Sequence, residues 1–227
     1  MSPRDIFLDV DTGVDDALAL LLAARSPDLQ IKGITCVSGN VPVDLVVRNT
    51  LDIMKVADQS HVPVARGMDT PLIEKMVNAA EIHGENGLGG VELPESSTKA
   101  ITLHAVEFLY NELSNSANPI TIVALAPLTN IATLIRTYPD VLPKIGRLVV
   151  MGGAIGPGNV TPTTEFNIRQ DPEAADIVFS SGIPVLLYTW DVFVQVAFYR
   201  AEIETLAASS NKCSSLAGEL LISMLNR

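Results

Sequence analysis

The sequence predicts an α/β protein built on a mostly parallel, open sheet with helices on both faces. Short apolar runs of four to seven residues alternate with helical patterns along the chain. The order is strand, helix, strand, helix, which is the order of parallel crossover units. With 227 residues, 48% hydrophobic and 18% charged, the chain is large enough to bury a sizeable core and too apolar for disorder.

Taken in order, Ile6 to Val10 reads as the first strand and turns through Gly13 into a helix over Val14 to Arg25. Ile31 to Val37 is the second strand, followed by a helix over Val43 to Ala57 and a third strand over Val62 to Ala65. A helix over Ala100 to Leu113 leads to the strand Ile120 to Ala124, and a helix over Leu128 to Thr137 to the strand Arg147 to Met151. Pro172 to Ser181 is the last helical pattern and Val185 to Tyr188 the last strand. Two stretches break the rhythm, Gly67 to Ser97 and Gly152 to Asn167, both rich in Gly, Pro, Thr and Asn. Long loops in a compact α/β unit usually carry function. No repeat or composition shift marks a boundary, so residues 1–227 are expected to form a single domain.

Composition excludes several classes of partner. Fifteen Lys and Arg against 26 Asp and Glu leave a net charge of -11, which repels phosphate backbones and anionic bilayers. Neither nucleic acid nor membrane is expected as a partner. The apolar stretch Ala17 to Ala24 is far shorter than the roughly 20 residues a bilayer span requires, and the start of the chain lacks a signal peptide's basic and apolar regions. The mean hydropathy of +0.32 therefore reflects a buried sheet. Cys36 and Cys213 have no metal-ligand spacing and read as reduced thiols of a cytoplasmic protein.

In open parallel sheets ligands bind beyond the carboxyl ends of the strands, and those positions are unusually polar here. Asp9, Asp11, Asp15 and Asp16 follow the first strand, Ser38-Gly39-Asn40 the second, and Gly152-Gly153, Asn159 and Thr164-Glu165-Phe166-Asn167 the fifth. Four aspartates within eight residues repel one another unless a hard cation sits among their oxygens, and calcium or magnesium suits carboxylates. Helix capping alone would explain Asp15 or Asp16 but needs one aspartate, not four. Asp9 and Asp11 share a face of the strand; Asp9 can be satisfied by backbone, whereas Asp11 sits at the tip.

The segment Leu8-Asp9-Val10-Asp11-Thr12-Gly13-Val14-Asp15-Asp16-Ala17 resembles the N-terminal signature of the inosine-uridine preferring nucleoside hydrolase family. Val37-Ser38-Gly39-Asn40, Ile82-His83-Gly84, Ala124-Leu125-Ala126-Pro127-Leu128-Thr129-Asn130, Met151-Gly152-Gly153 and Glu165-Phe166-Asn167 match further family motifs in family order. The resemblance spans essentially the whole chain. It implies a Rossmann-like nucleoside hydrolase fold and calcium-dependent hydrolysis of the N-glycosidic bond of ribonucleosides to ribose and free base, in a homodimer or homotetramer.

By motif match, Asp11 is expected to be the general base and, with Asp16 and the backbone carbonyl of Leu125, a ligand of Ca2+. Asp15, Asn40, Asn159, Glu165 and Asn167 are expected to ring the ribose, whose vicinal hydroxyls need donors and acceptors. His83 is expected near the base or the 5′-hydroxyl, whereas His61 and His104 read as surface or satisfied core residues.

Family chains continue past the point where this sequence stops, and their later part carries a His-Asp pair with no counterpart here. That aspartate is a calcium ligand, and that histidine is implicated in protonating the leaving base in purine-using members. Trp190-Asp191-Val192 resembles the segment before it, but the usual Thr-His reads Phe193-Val194. The expectation is a fragment or a naturally shortened paralogue.

Two rival readings remain at this point. A ribose- or nucleoside-binding remnant without turnover would keep the same ribose-gripping residues. A haloacid-dehalogenase-like phosphatase would use Asp9-Val10-Asp11-Thr12 with magnesium and Asp9 as nucleophile, but its late acidic pair has no match, because Asp15-Asp16 falls far too early.

Overall fold

A computed structural model describes residues 3–225. Its sheet has six parallel strands, β1 (Arg4–Val10), β2 (Leu29–Cys36), β3 (Val64–Arg66), β4 (Ile120–Ala124), β5 (Ile145–Met151) and β6 (Val185–Tyr188), in the order β3-β2-β1-β4-β5-β6. The helices are α1 (Val14–Arg25), α2 (Val43–Val56), α3 (Ala80–His83), α4 (Ala105–Asn115), α5 (Thr129–Thr137), α6 (Phe166–Gln170), α7 (Pro172–Phe179), α8 (Trp190–Phe193), α9 (Arg200–Ala207) and α10 (Lys212–Leu225). All six predicted strands are present.

The order steps outward from β1 to β3 on one side and from β4 to β6 on the other. Connections therefore diverge between β1 and β4, and a crevice opens there at the carboxyl ends of the strands. Asp9 on β1 lies opposite Ala124 at the end of β4.

Strand alternation sorts the core into two layers. Ile6, Leu8 and Val10 face α1, α2 and α10, while Phe7, Ile122, Leu148 and Val150 face α4, α5 and α7. At the centre of the second layer, Phe7 meets Phe108 edge to face, with ring centroids 5.9 Å apart. Gly33 on β2 makes room for the Phe108 ring; a Cβ there would collide with it.

Several boundaries shift by one or two residues, and the larger differences from the sequence reading have physical causes. The helix placed from Ala100 begins at Ala105, because Ile101 pairs with Ala65 beside β3 and His104 caps the helix, its Nδ1 accepting from Val106 N at 3.3 Å. The third strand runs Val64–Arg66 and not from Val62, with Pro63 O accepting from Ile34 N. Beyond β6, where no element was assigned, α9 and α10 pack on each other, and α10 buries Leu216 and Leu220 against the α1 layer.

The helical cover is uneven. Leu186 on β6 is 53% exposed, and a shallow cleft of about 350 Å³ lined by Arg4, Thr121, Gly146, Arg147, Val149 and Leu186 lies toward the amino ends of the strands. That cleft is at the opposite end of the sheet from the aspartates. Among the described residues, no helix is long and apolar enough to cross a membrane.

Because Phe7 is fully buried in the central strand, Phe7→Ala is expected to lower unfolding stability by about 3–5 kcal/mol in urea denaturation.

Candidate active site

The turn from β1 into α1 builds the floor of the crevice. Gly13 precedes the helix, and its N–H donates to Asp16 Oδ2 at 3.3 Å, so Asp16 folds back over the turn. A side chain at Gly13 would strike Asn40 Nδ2 at 2.7 Å and His83 Nδ1 at 2.8 Å, so glycine lets both approach the backbone. The turn after β2 closes from the other side. Its Asn40 N–H donates to Asp11 Oδ2 at 2.7 Å and its Asn40 amide to Asp16 Oδ2 at 3.4 Å.

Asp11, Asp16 and Asn40 are thus brought together, each nearly or fully buried. Each carboxylate keeps one oxygen, Asp11 Oδ1 and Asp16 Oδ1, buried without a hydrogen-bond partner. Burial pushes the Asp11 carboxyl up to about 8, with the charge of Asp15 adding to it and the Asn40 N–H opposing it. Burial, then the charges of Asp11 and Asp15, raise Asp16 well above the usual carboxylate range.

Asp9 is separate from this pair. It is fully buried and its Oδ1 accepts from Thr35 Oγ1 at 2.5 Å and Asn130 Nδ2 at 2.8 Å, while its Oδ2 too is buried without a partner. Burial lifts it to about 6 against those two bonds. Asp9, the nucleophile that the phosphatase reading requires, thus has one oxygen tied up by Thr35 and Asn130. Asn130 also donates to Cys36 O and accepts from Met68 N, tying β1, β2 and the loop after β3 to α5.

The opposite wall comes from the end of β4 and the loop after β5. Leu125 N donates to Asp9 O at 2.9 Å, which fixes the Leu125 peptide beside β1. Its carbonyl accepts from Asn167 Nδ2 at 2.8 Å and keeps a second lone pair. Asn167 also donates to Met151 O at 3.2 Å. Glu165 caps α6, accepting from Asn167 N at 2.9 Å and Ile168 N at 3.2 Å, and also accepts from Gly153 N at 3.0 Å. Burial raises its pKa against these three N–H bonds, and the charge of Asp15 adds to the rise.

The remaining expected site residues lie at the rim. Asp15 is half-exposed, with Oδ1 3.8 Å from His83 Nδ1. His83 Nδ1 accepts from Val14 N at 3.1 Å, so the proton of a neutral ring sits on Nε2. Asn159 is exposed and its Oδ1 accepts from Phe166 N at 2.9 Å, folding the loop back toward Glu165. His61 is exposed and His104 caps α4, away from the crevice. Sequence reasoning gave no site role to Thr35, Asn130 or Asp191; the family motifs around Asn130 and at Trp190-Asp191-Val192 were the available signals.

The donor set suits a hard cation. Asp11 and Asp16 offer unpartnered, buried carboxylate oxygens, and calcium takes such oxygens in flexible numbers. Among the described residues, no three His, Cys, Asp or Glu side chains form a metal cluster, so carboxylates alone do not complete a shell.

The doubly wound α/β unit carries an acidic, amide-lined crevice at its switch point, where such folds bind their ligands. The sequence pattern of the inosine-uridine preferring nucleoside hydrolases matches residues 6–227, and the chain belongs to that family of N-glycosidases. It is 45% identical over 216 residues to the pyrimidine-specific ribonucleoside hydrolase RihA of Salmonella arizonae, covering 95% of this chain and 70% of that one. Among solved structures, the purine-preferring ribonucleoside hydrolase from Gardnerella vaginalis superposes with a TM-score of 0.94 at 36% identity, over 98% of this chain and 72% of that one. The plant nucleoside hydrolase PpNRh1 also gives 0.94, at 33% identity over 99% and 71%.

The raised carboxyl groups set a pH dependence. Between the ordinary aspartate range and about 8, the native state keeps protons that the unfolded chain has released, so stability falls as pH rises through that window. Urea titrations without divalent cations should show a slope approaching about 1.4 kcal/mol per pH unit for each retained proton. Asp11→Asn should flatten the slope and leave the cation-free protein more stable than the parent at pH 8.

Proposed function

We propose that this chain hydrolyses the N-glycosidic bond of ribonucleosides, with Asp11 as general base and a calcium ion held by Asp11, Asp16 and the Leu125 carbonyl. The observation that carries the reading is the pair of buried carboxylate oxygens, Asp11 Oδ1 and Asp16 Oδ1, without partners at the switch point. When bound, the cation supplies positive charge that acidifies water and grips vicinal hydroxyls.

The chain's own residues divide the remaining work. Asp11 takes the proton of the attacking water, a role open to a carboxylate that the cation holds ionised at the tip of β1. Asp15, Asn40, Asn159, Glu165 and Asn167 supply acceptors and amide donors to the ribose as its ring moves toward an oxocarbenium-like state. Glu165 and Asn167 hold each other and the backbone of β4 and β5, so they meet the sugar already oriented. His83, whose Nδ1 is taken up by Val14 N so that Nε2 carries the proton of a neutral ring, is assigned to the base or the 5′-hydroxyl.

Pyrimidine nucleosides are the favoured substrates, following the RihA relative at 45% identity over the purine-preferring structure at 36%. Steady-state assays should give a higher kcat/KM for uridine than for inosine. Asp11→Asn should reduce kcat by about 10²-fold to 10⁴-fold. Parental activity in that variant would exclude Asp11 as base. Calorimetric titration with calcium should show binding to the parent and strong weakening in Asp11→Ala; equal affinities would remove Asp11 from the ligand set. Uridine should outcompete uridine monophosphate, because carboxylates and amides dominate the crevice walls.

A further inference from the structure

The reaction proposed above uses no residue beyond α6, yet the chain returns to the crevice after β6. The segment 154–164 leaves β5 through Gly152-Gly153, with Gly153 at a φ of 70°, and comes back at Glu165. It carries Asn159. Its returning end is held by Asn159 Oδ1 accepting from Phe166 N at 2.9 Å, and its other bonds are internal: Gly158 N to Pro162 O at 3.2 Å, and the pairing of Thr161 with Thr164. Ile155 is 89% exposed, so burial does little to hold this arm.

What holds it is a carboxylate on α8. Asp191 Oδ2 accepts from Ile155 N at 2.7 Å and Oδ1 from Gly156 N at 2.9 Å. Among the described residues, it is the one side chain outside the segment that hydrogen-bonds to it. Its neighbour Trp190 donates N–H to Gly153 O at 2.9 Å, so consecutive residues of α8 grip both sides of the loop's departure from β5. A side chain at position 156 would approach Asp191 Oδ1 to 2.8 Å, so the bare glycine N–H is what the carboxylate reads.

We infer that Asp191 is a positioning residue for ribose recognition, latching residues 155–156 to the end of β6 so that the arm bearing Asn159 stays over the crevice. The inference rests on the nucleoside reading of the site. The two N–H donors hold the Asp191 carboxyl below the usual carboxylate range, so it is ionised at neutral pH and the bonds are charge-assisted. Glu165 clamps the root of the loop at Gly153 N, and Asp191 clamps its outgoing arm. Without Asp191 the arm samples open states, and apparent affinity falls by the fraction of time it is closed. The chemical step, once substrate is seated, is unchanged.

Two measurements test this on Asp191→Ala and Asp191→Asn, the latter keeping one acceptor oxygen. Amide exchange at Ile155 and Gly156 should accelerate about tenfold or more in Asp191→Ala, with β4 and β5 protection as in the parent, and Asp191→Asn should fall between. With uridine, Asp191→Ala should raise KM about tenfold with kcat within about twofold, again with partial rescue by asparagine. Unchanged exchange overturns the latch, and unchanged KM alongside accelerated exchange overturns its role in recognition. A fall in kcat at constant KM also overturns the assignment. Exchange is read without substrate, so a parent chain that neither binds nor cleaves uridine counts against the nucleoside reading and leaves the latch to be judged by exchange alone.

Discussion

The structure turns on the confinement of Asp9, Asp11 and Asp16 at the carboxyl end of its central strand, where water is largely excluded. Isolated buried carboxylates are costly, and a protein retains them only by protonation, hydrogen bonding or a cation. Asp9 takes the hydrogen-bonded solution through Thr35 and Asn130. All three are nonetheless only half satisfied, since Asp9 Oδ2, Asp11 Oδ1 and Asp16 Oδ1 each lack any partner. That unsatisfied half is where binding energy for a ligand is stored, and it makes the fold less stable without one. The same crowding explains the glycines around it, since Gly13 and Gly39 leave room for the carboxylates and for Asn40 where any Cβ would intrude.

Asparagines carry the architecture outward from that point. Asn130 braces β1, β2 and the loop after β3; Asn40 bridges the two carboxylates; Asn167 joins the ends of β4 and β5. An amide donates and accepts at once, so it can cross-link peptide groups and carboxylates without adding charge to an already acidic crevice. The outer loops are held by carboxylates accepting backbone N–H groups. Asp171 accepts from Leu72 N at 2.9 Å and from Thr129 Oγ1 at 2.6 Å, and Asp191 does the same work for the loop after β5. Long loops here are therefore ordered by polar tethers more than by burial.

Much of this was legible in the chain. Apolar runs bounded by turn residues located all six strands, because strands buried on both faces leave a nearly continuous apolar signal. The aspartate cluster marked the site because like charges at that density demand a partner whatever the fold. The helix start at Ala105 was not legible: Ile101 has the periodicity of the helix that follows, and only pairing with Ala65 removes it from that helix. The elements after β6 were likewise unassigned, since α9 and α10 gain their order from packing on each other and on α1.

By itself, the sequence determined the α/β class, the crevice at the strand ends and the identity of the acids and amides gathered there, since local pattern and charge density are properties of contiguous residues. Tertiary structure alone decided which partners each acid meets. Asp9 and Asp11 are two residues apart on one face of a strand. Asn130, 121 positions away, reaches Asp9 Oδ1 and the Asn40 N–H reaches Asp11 Oδ2, so the two carboxylates meet different partners while each keeps one buried oxygen without any. It also decided that Asp191, unremarkable in a run of apolar residues, faces two backbone N–H groups 35 and 36 positions earlier in the chain. Such pairings depend on where distant strands end relative to one another, and in a parallel sheet that is settled by long-range packing and not by neighbouring residues.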